Sequence, residues 1–284
     1  MKGRIKKHKK LAIVFIIICV VVLINTTINW NTYIYSKRLI NSIEDNNMQK
    51  FDALLKNKNG KLNCPEYRFG KLMEHLEVAN FTPLEVACQR GNYKAVKKLV
   101  DKGADVNMQD DTLKSTPLIM ALSYLNEDRY KIARLLIEKG ADIDYKDSQN
   151  CSPLALVTKR KENEPYKTKK EGKEIFKYIW KHSKERDLRG YEWGDNILEV
   201  SYAYNNIDAI EYLIERKYFR INIVFAQGVT LLMYAVKNEK YGFCRFLLKE
   251  GVDVSLKDHK GKTAYDYAKE SGNKKIIKLL EEYQ

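Results

Sequence analysis

The chain has 284 residues, of which 44% are hydrophobic and 31% charged, enough apolar material to bury a core and too much to leave the whole chain disordered. Its formal net charge is +14, but Lys2, Arg4, Lys6, Lys7, Lys9 and Lys10 crowd into the first ten residues and leave a modest excess of about +8 for the rest, less than nucleic-acid binding calls for. The five cysteines (Cys19, Cys64, Cys88, Cys151, Cys244) form no close pair, and the four histidines (His8, His75, His182, His259) share no ligand spacing, so no metal site, cofactor or disulfide framework is expected.

Residues 1–10 form a basic segment, and Leu11 to Ile24 is an unbroken apolar run that continues past Asn25, Thr26 and Thr27 to Ile28 and Trp30. As a helix, residues 11–30 reach about 30 Å, the thickness of a bilayer's hydrocarbon core. Trp30, Tyr33 and Tyr35 follow where an interfacial aromatic belt belongs. Positive charge ahead of the span predicts a single-pass signal-anchor with the N-terminus cytoplasmic and everything after Trp30 across the membrane. A cleaved signal peptide shares the basic and apolar parts, but no small-residue cleavage site follows the run.

From residue 36 onward the sequence repeats itself. Thr82-Pro83-Leu84 recurs as Thr116-Pro117-Leu118 and Ser152-Pro153-Leu154, then more weakly as Asn196-Ile197-Leu198, Thr230-Leu231-Leu232 and Thr263-Ala264-Tyr265. The intervals are about 33 to 36 residues, with one longer interval of about 44. A second motif keeps a constant offset from the first: Gly103-Ala104-Asp105-Val106-Asn107, Gly140-Ala141-Asp142-Ile143-Asp144 and Gly251-Val252-Asp253-Val254-Ser255. Thr or Ser before Pro reads as a helix cap followed by a residue whose missing N–H costs nothing in a first turn. Glycine after Leu-Leu or Leu-Val steps reads as a left-handed helix stop. Ala87, Ala121, Ala235 and Ala268 recur on the first helix, where small side chains let a neighbour pack closely.

These motifs resemble those of the ankyrin-repeat family, which implies an all-α solenoid of helix-turn-helix units joined by short β-turn or hairpin loops. In that register residues 36–284 hold a degenerate N-terminal cap (36–63), an insertion (64–80), and repeats at 81–114, 115–150, 151–194, 195–228 and 229–261, closed by a C-terminal cap at 262–284. The third repeat carries a Lys-rich insertion, 159–173, read as a solvated loop that lengthens the turn between its helices. The fourth departs most from the pattern: Arg220-Ile221-Asn222 stands where the Gly-Ala-Asp motif belongs, which puts its hairpin in doubt.

The resemblance further implies a protein-binding role through a concave surface built from hairpin tips and the exposed side of each first helix, and it offers no catalytic residues. On this chain that surface comprises Phe81, Gln89, Arg90, Leu113, Ser115, Ser123, Tyr124, Gln149, Lys159, Arg160, Trp193, Tyr204, Val229, Lys237, Asn238, His259 and Lys260. No phosphate loop, nucleophile elbow or ligand cluster points to an enzyme or to a small-molecule substrate. The expectation is therefore a membrane-tethered module for an unidentified protein, with a secreted inhibitor or immunity-type binder as the alternative if the N-terminal segment is cleaved.

Overall fold

A computed structural model describes residues 31–57, 62–63, 81–110, 112–158, 166–184 and 197–283. The predicted basic segment and anchor (1–30) and the insertion at 64–80 lie outside these residues. No helix among the described residues is long and apolar enough to cross a membrane. Regular structure among them is helical, apart from one antiparallel bridge between Val224 and Thr230.

The helices come in antiparallel pairs. Residues 31–44 form α1, paired with α2 (Met48–Leu55); α3 (Pro83–Gln89) pairs with α4 (Tyr93–Asp101), and α5 (Pro117–Ser123) with α6 (Arg129–Glu138). Then come α7 (Pro153–Val157), α8 (Tyr166–His182), α9 (Ile197–Ala203) with α10 (Ile207–Glu215), α11 (Leu231–Lys237) with α12 (Tyr241–Lys249), and α13 (Ala264–Ser271) with α14 (Lys274–Glu281). The described residues divide into two compact units, the first running through Leu156 and taking in α8 as far as Ile175, the second beginning at Val157 and resuming at Phe176.

Local chemistry starts and stops these helices as the motifs require. Thr82 accepts from the N–H of Glu85 while the Glu85 carboxylate accepts from the N–H of Thr82, a reciprocal cap; Thr116, Ser152, Thr230 and Thr263 cap the later first helices. Each second helix needs a sharp entry, and four obtain it from a residue with positive φ followed by an asparagine cap: Asn46-Asn47, Gly91-Asn92, Asn205-Asn206 and Gly272-Asn273. Second helices end in a shared stop, in which the N–H two residues past the cap donates to a leucine carbonyl: Ala104 to Leu99, Ala141 to Leu136, Tyr218 to Leu213 and Val252 to Leu247.

The first helices α3, α5 and α11 are buried almost all round, and Ala87, Ala121, Ala235 and Ala268 stand at 0% exposure. The second helices bury one stripe, as α4 does with Ala95, Val96, Leu99 and Val100, and show Lys94, Lys97 and Lys102 to water. Burying each leucine contributes about 1.5 to 3 kcal/mol relative to exposure.

Two expectations change. The Lys-rich insertion read as a loop is helical from Tyr166 onward. The cause is a buried stripe of Thr168, Gly172, Ile175, Phe176, Ile179 and Trp180 at helical spacing, which the lysines between them disguise. Gly172 packs against Tyr130, where an added Cβ would stand 2.6 Å from Cζ. The hairpin of the fourth repeat forms despite its aberrant motif. Phe225 N donates to the Val229 carbonyl at 2.8 Å, and Gln227 and Gly228 take the positive φ of 62° and 79° that the turn demands.

At the end of α10 the left-handed place that Gly103, Gly140 and Gly251 fill is held by Lys217, with φ 56°. A side chain there costs about 1 to 2 kcal/mol. Lys217→Gly is therefore expected to stabilise the chain by about 1 kcal/mol, read as a higher urea midpoint at unchanged slope; an unchanged or lower midpoint contradicts the strain.

Candidate protein-binding face

The loops between helix pairs are built to satisfy their own backbone. Asp110 Oδ1 accepts from the N–H groups of Thr112 and Leu113, both at 2.7 Å, and Oδ2 from that of Ser115 at 2.7 Å. Asp147 Oδ1 does the same for Gln149 and Cys151, and Asp258 Oδ1 for Lys260 and Lys262, all at 2.9 Å. Charge-assisted bonds of this kind fix each tip without help from a partner. Neighbouring tips are then joined through the backbone, Ser148 N to Leu113 O in the first unit and His259 N to Gln227 O in the second. A Cβ at Gly228 would meet His259 N at 2.8 Å, so only glycine admits the second junction.

An asparagine also crosses from repeat to repeat. The Oδ1 atoms of Asn63, Asn107 and Asn222 accept from the N–H of Asp105, Asp142 and Asp253 at 2.7, 2.8 and 2.8 Å. Asn222, read as a departure from the motif, is thus the element of it that the stack uses.

Of the residues expected on the binding face, Arg90, Ser123, Tyr124, Gln149, Lys237, Asn238, His259 and Lys260 are exposed, and Phe81, Gln89, Leu113, Tyr204 and Val229 are half-buried. Ser115 is buried at 2% exposure and gives its hydroxyl to Asp147 Oδ2 at 3.1 Å, so it serves the turn and is not a surface group. Lys159, Arg160 and Trp193 lie outside the described residues. In the first unit Gln89 Nε2 donates to the Tyr124 hydroxyl at 2.7 Å, bringing two predicted residues together across consecutive first helices. Arg90 pairs with Glu44 at 2.9 Å beside a groove of about 620 Å³, where Lys131 also pairs with Asp128, so two of that groove's cations are already neutralised.

The second unit holds an aromatic row that repeat-by-repeat positions did not reveal. Tyr202 stacks on Phe225 at 5.1 Å and lies 4.0 Å from Tyr234, between ring centroids. Lys237 Nζ stands 4.8 Å and Lys262 Nζ 5.5 Å from the centre of the Tyr267 ring. Tyr234 and Tyr267 each fall four residues after the capping threonine of their helix, a recurrence that was legible in the sequence. The Tyr267 hydroxyl donates to Asp258 Oδ2. That bond, with the backbone N–H of Lys262, holds the Asp258 carboxyl below its usual value and pushes Tyr267 up to about 12.

Among the described residues no group of His, Cys, Asp and Glu is placed to hold a metal ion. Burial pushes the Cys88 thiol well above its ordinary value and that of Cys244 up to about 12, leaving both protonated and poor nucleophiles at neutral pH.

With this geometry in view, comparison with known proteins decides the family. The profile described as Ankyrin repeats (3 copies) matches residues 39–147 and 200–284, more than half of the chain. The chain is a member of the ankyrin-repeat family. Among solved structures, the ankyrin repeat protein EF0377 is 28% identical with a TM-score of 0.51, the alignment covering 77% of this chain and all of that one. The human ASB11 ankyrin repeat domain has a TM-score of 0.58 at 18% identity, covering 85% of this chain and 96% of its own, and that of Bcl-3 scores 0.52 at 17%, covering 86% and 97%. These two share the fold. A curated relative, the palmitoyltransferase akr1 of Aspergillus oryzae, is 33% identical over 64 residues, 22% of this chain and 8% of that protein's length. So short an overlap carries none of the transferase's activity to this ankyrin-repeat chain.

Because the folded Asp258 carboxyl titrates below its unfolded value of about 3.9, its contribution to stability is full above that pH and is lost as pH falls through the folded pKa. Asp258→Asn is expected to unfold more readily at neutral pH and to lose less further stability on acidification below about pH 4 than the parent, measured by urea unfolding across pH. Equal acid sensitivity in the two proteins contradicts the assignment.

Proposed function

We propose that this ankyrin-repeat protein is a non-enzymatic binding module, held to a membrane by residues 11–30, that recognises a protein partner through the inner helices and loop tips of its repeats. The observation that carries the binding surface is Tyr124. It is 41% exposed at the end of α5, with its hydroxyl held by Gln89, so a large amphipathic anchor is presented with little conformational freedom left to lose. Self-satisfied tips support the same reading, since their side chains can change without unfolding the turn. The lysines of α8 add attraction for an acidic surface but not the central contact. Exposed pairs yield roughly 0 to 1 kcal/mol and are screened within about 8 Å, whereas an aromatic anchor can supply 2 kcal/mol or more.

A folded Tyr124→Ala, Tyr204→Ala variant is expected to recover at least about tenfold less partner than the parent in affinity capture from membranes. Lys169→Gln, Lys170→Gln should keep the partner and lose only part of the salt dependence. The reverse pattern moves the site from the inner helices to α8.

The tether rests on the apolar run from Leu11 to Ile24 behind six basic residues, and by the positive-inside rule it places the repeats outside the cytoplasm. Protease added to spheroplasts should digest the repeats of the full chain. Complete protection reverses the topology, and a mature chain beginning after Thr27 replaces the anchor by a cleaved signal.

A further inference from the structure

From Phe176 onward α8 belongs to the second unit, and its last turns run beside the end of α10. Phe176 meets Tyr212 at 6.2 Å between ring centroids; further along both helices, Trp180 meets Tyr218 edge-on at 5.4 Å and Phe219 at 6.2 Å. Charge is sorted along this pair. Glu174 on α8 and Asp208 and Glu211 on α10 precede the first ring contact, where the Lys177 ammonium lies over the Tyr212 ring. Past it come Lys181, Arg216, Lys217 and Arg220, all exposed, and among the described residues none of the four forms an ion pair. Within residues 176–184 and 212–220 the one carboxylate is Glu215. Two rings stand open beside these cations: Tyr218, 45% exposed, and Tyr178, 44% exposed and one turn before Lys181. Lys217 carries a further sign. It holds the left-handed place, φ 56°, that glycine fills after α4, α6 and α12, so a cation is kept where the backbone is easier without a side chain. Helix dipoles account for cations in a last turn, but not for Tyr218 and Arg220, which lie beyond α10.

Resting on the tether proposed above, we propose that this end of α8 and α10, with Tyr178, Lys181, Arg216, Lys217, Tyr218 and Arg220, is a second membrane contact that lies on the headgroups of an anionic bilayer. The cations meet lipid phosphates, and the tyrosines sit at headgroup depth, where the body of the ring is in apolar surroundings and its hydroxyl in water. Four unpaired cations are few for an isolated chain to hold a membrane. An anchor on the same chain keeps the bilayer at high effective concentration, so weak attraction suffices. Duplex nucleic acid presents a rigid array of phosphates, which rewards a longer run of cations and leaves exposed rings unused. A lipid surface uses both.

The test reconstitutes the full-length chain in vesicles of phosphatidylglycerol or of phosphatidylcholine. The photoreactive p-benzoylphenylalanine replaces Tyr218 or, as control, Tyr241, which is 42% exposed at the start of α12. After illumination, lipid adducts are measured by mass spectrometry. In phosphatidylglycerol the Tyr218 position is expected to give at least about fivefold more adduct than Tyr241, falling toward the control in phosphatidylcholine or at about 0.5 M salt. Lys181→Glu, Arg220→Glu should lose at least about fivefold, whereas Lys249→Glu, Lys275→Glu, with the same change of net charge on α12 and α14, should lose less than about twofold. Lys217→Gly should lower the adduct yield while raising the urea midpoint, opposite signs that loss of folding cannot give. Equal yield from the two positions, equal loss in the two charge variants, or a yield indifferent to lipid charge overturns the proposal. Flotation in alkaline carbonate reads the anchor separately. A chain retained there without adduct at Tyr218 keeps the tether and loses this contact; one released there that had formed the adduct loses the tether and keeps the contact. A protein adduct in place of lipid in native membranes, or displacement of the lipid adduct by duplex DNA, gives the surface to that partner and overturns the bilayer assignment.

Discussion

Everything in this chain depends on how closely consecutive first helices approach. No single pair of helices seven to ten residues long can bury its apolar face alone, so each unit is stable only as a stack. The approach is set by one methyl group per repeat: Ala87 and Ala121 in the first unit, Ala235 and Ala268 in the second, all without exposed surface. A larger side chain at these places would push the helices apart and leave voids along Leu84, Leu118, Leu232 and their neighbours. Close approach in turn buries helix ends and loop backbones that must then find hydrogen-bond partners.

The caps and tips supply those partners from within each repeat. Threonine and asparagine side chains take the first N–H groups of the helices, aspartates take those of the tips, and asparagines at 63, 107 and 222 carry the bonding on to the next repeat. Stability therefore resides in residues whose roles recur, and the side chains between them are released from it. Tyr124 and Gln89 in one unit and Lys237 in the other take no part in those caps and tips, so their chemistry can vary at little cost to the scaffold. Such a division lets one fold present many surfaces.

The repeating part of this architecture was legible in the sequence because each device has a narrow residue preference. Thr-Pro-Leu and the glycines before Ala-Asp mark positions where few other residues serve, and their shared period located the helices. Legibility failed where a preference was broad or a pattern was mixed with another. The buried stripe of α8 was hidden by lysines that belong to its solvent side. In the fourth hairpin Phe225, Gln227 and Gly228 reach the same turn by a different residue choice, so motif matching saw only a gap. Ser115 was misplaced because a residue flanking the motif can face either the solvent or the turn, and the acceptor that draws it inward, Asp147, is a repeat away. The rings of the second unit meet across repeats as well, and a reading made one repeat at a time does not join Tyr202 to Phe225 or Lys237 to Tyr267.

The two deeply buried thiols have a consequence of another kind. Cys88 sits in the first unit and Cys244 in the second, each at 0% exposure and each held protonated by its surroundings. With the Cys244 thiol pushed up to about 12 and that of Cys88 raised well above its ordinary value, thiolate is scarce at neutral pH, so disulfide exchange and alkylation are suppressed both by access and by ionisation. Reaction at either position demands that the surrounding helices part first. The chain thus carries a clock of local opening in each unit, and the modification rates of Cys88 and Cys244 report separately how often one stack and the other breathe.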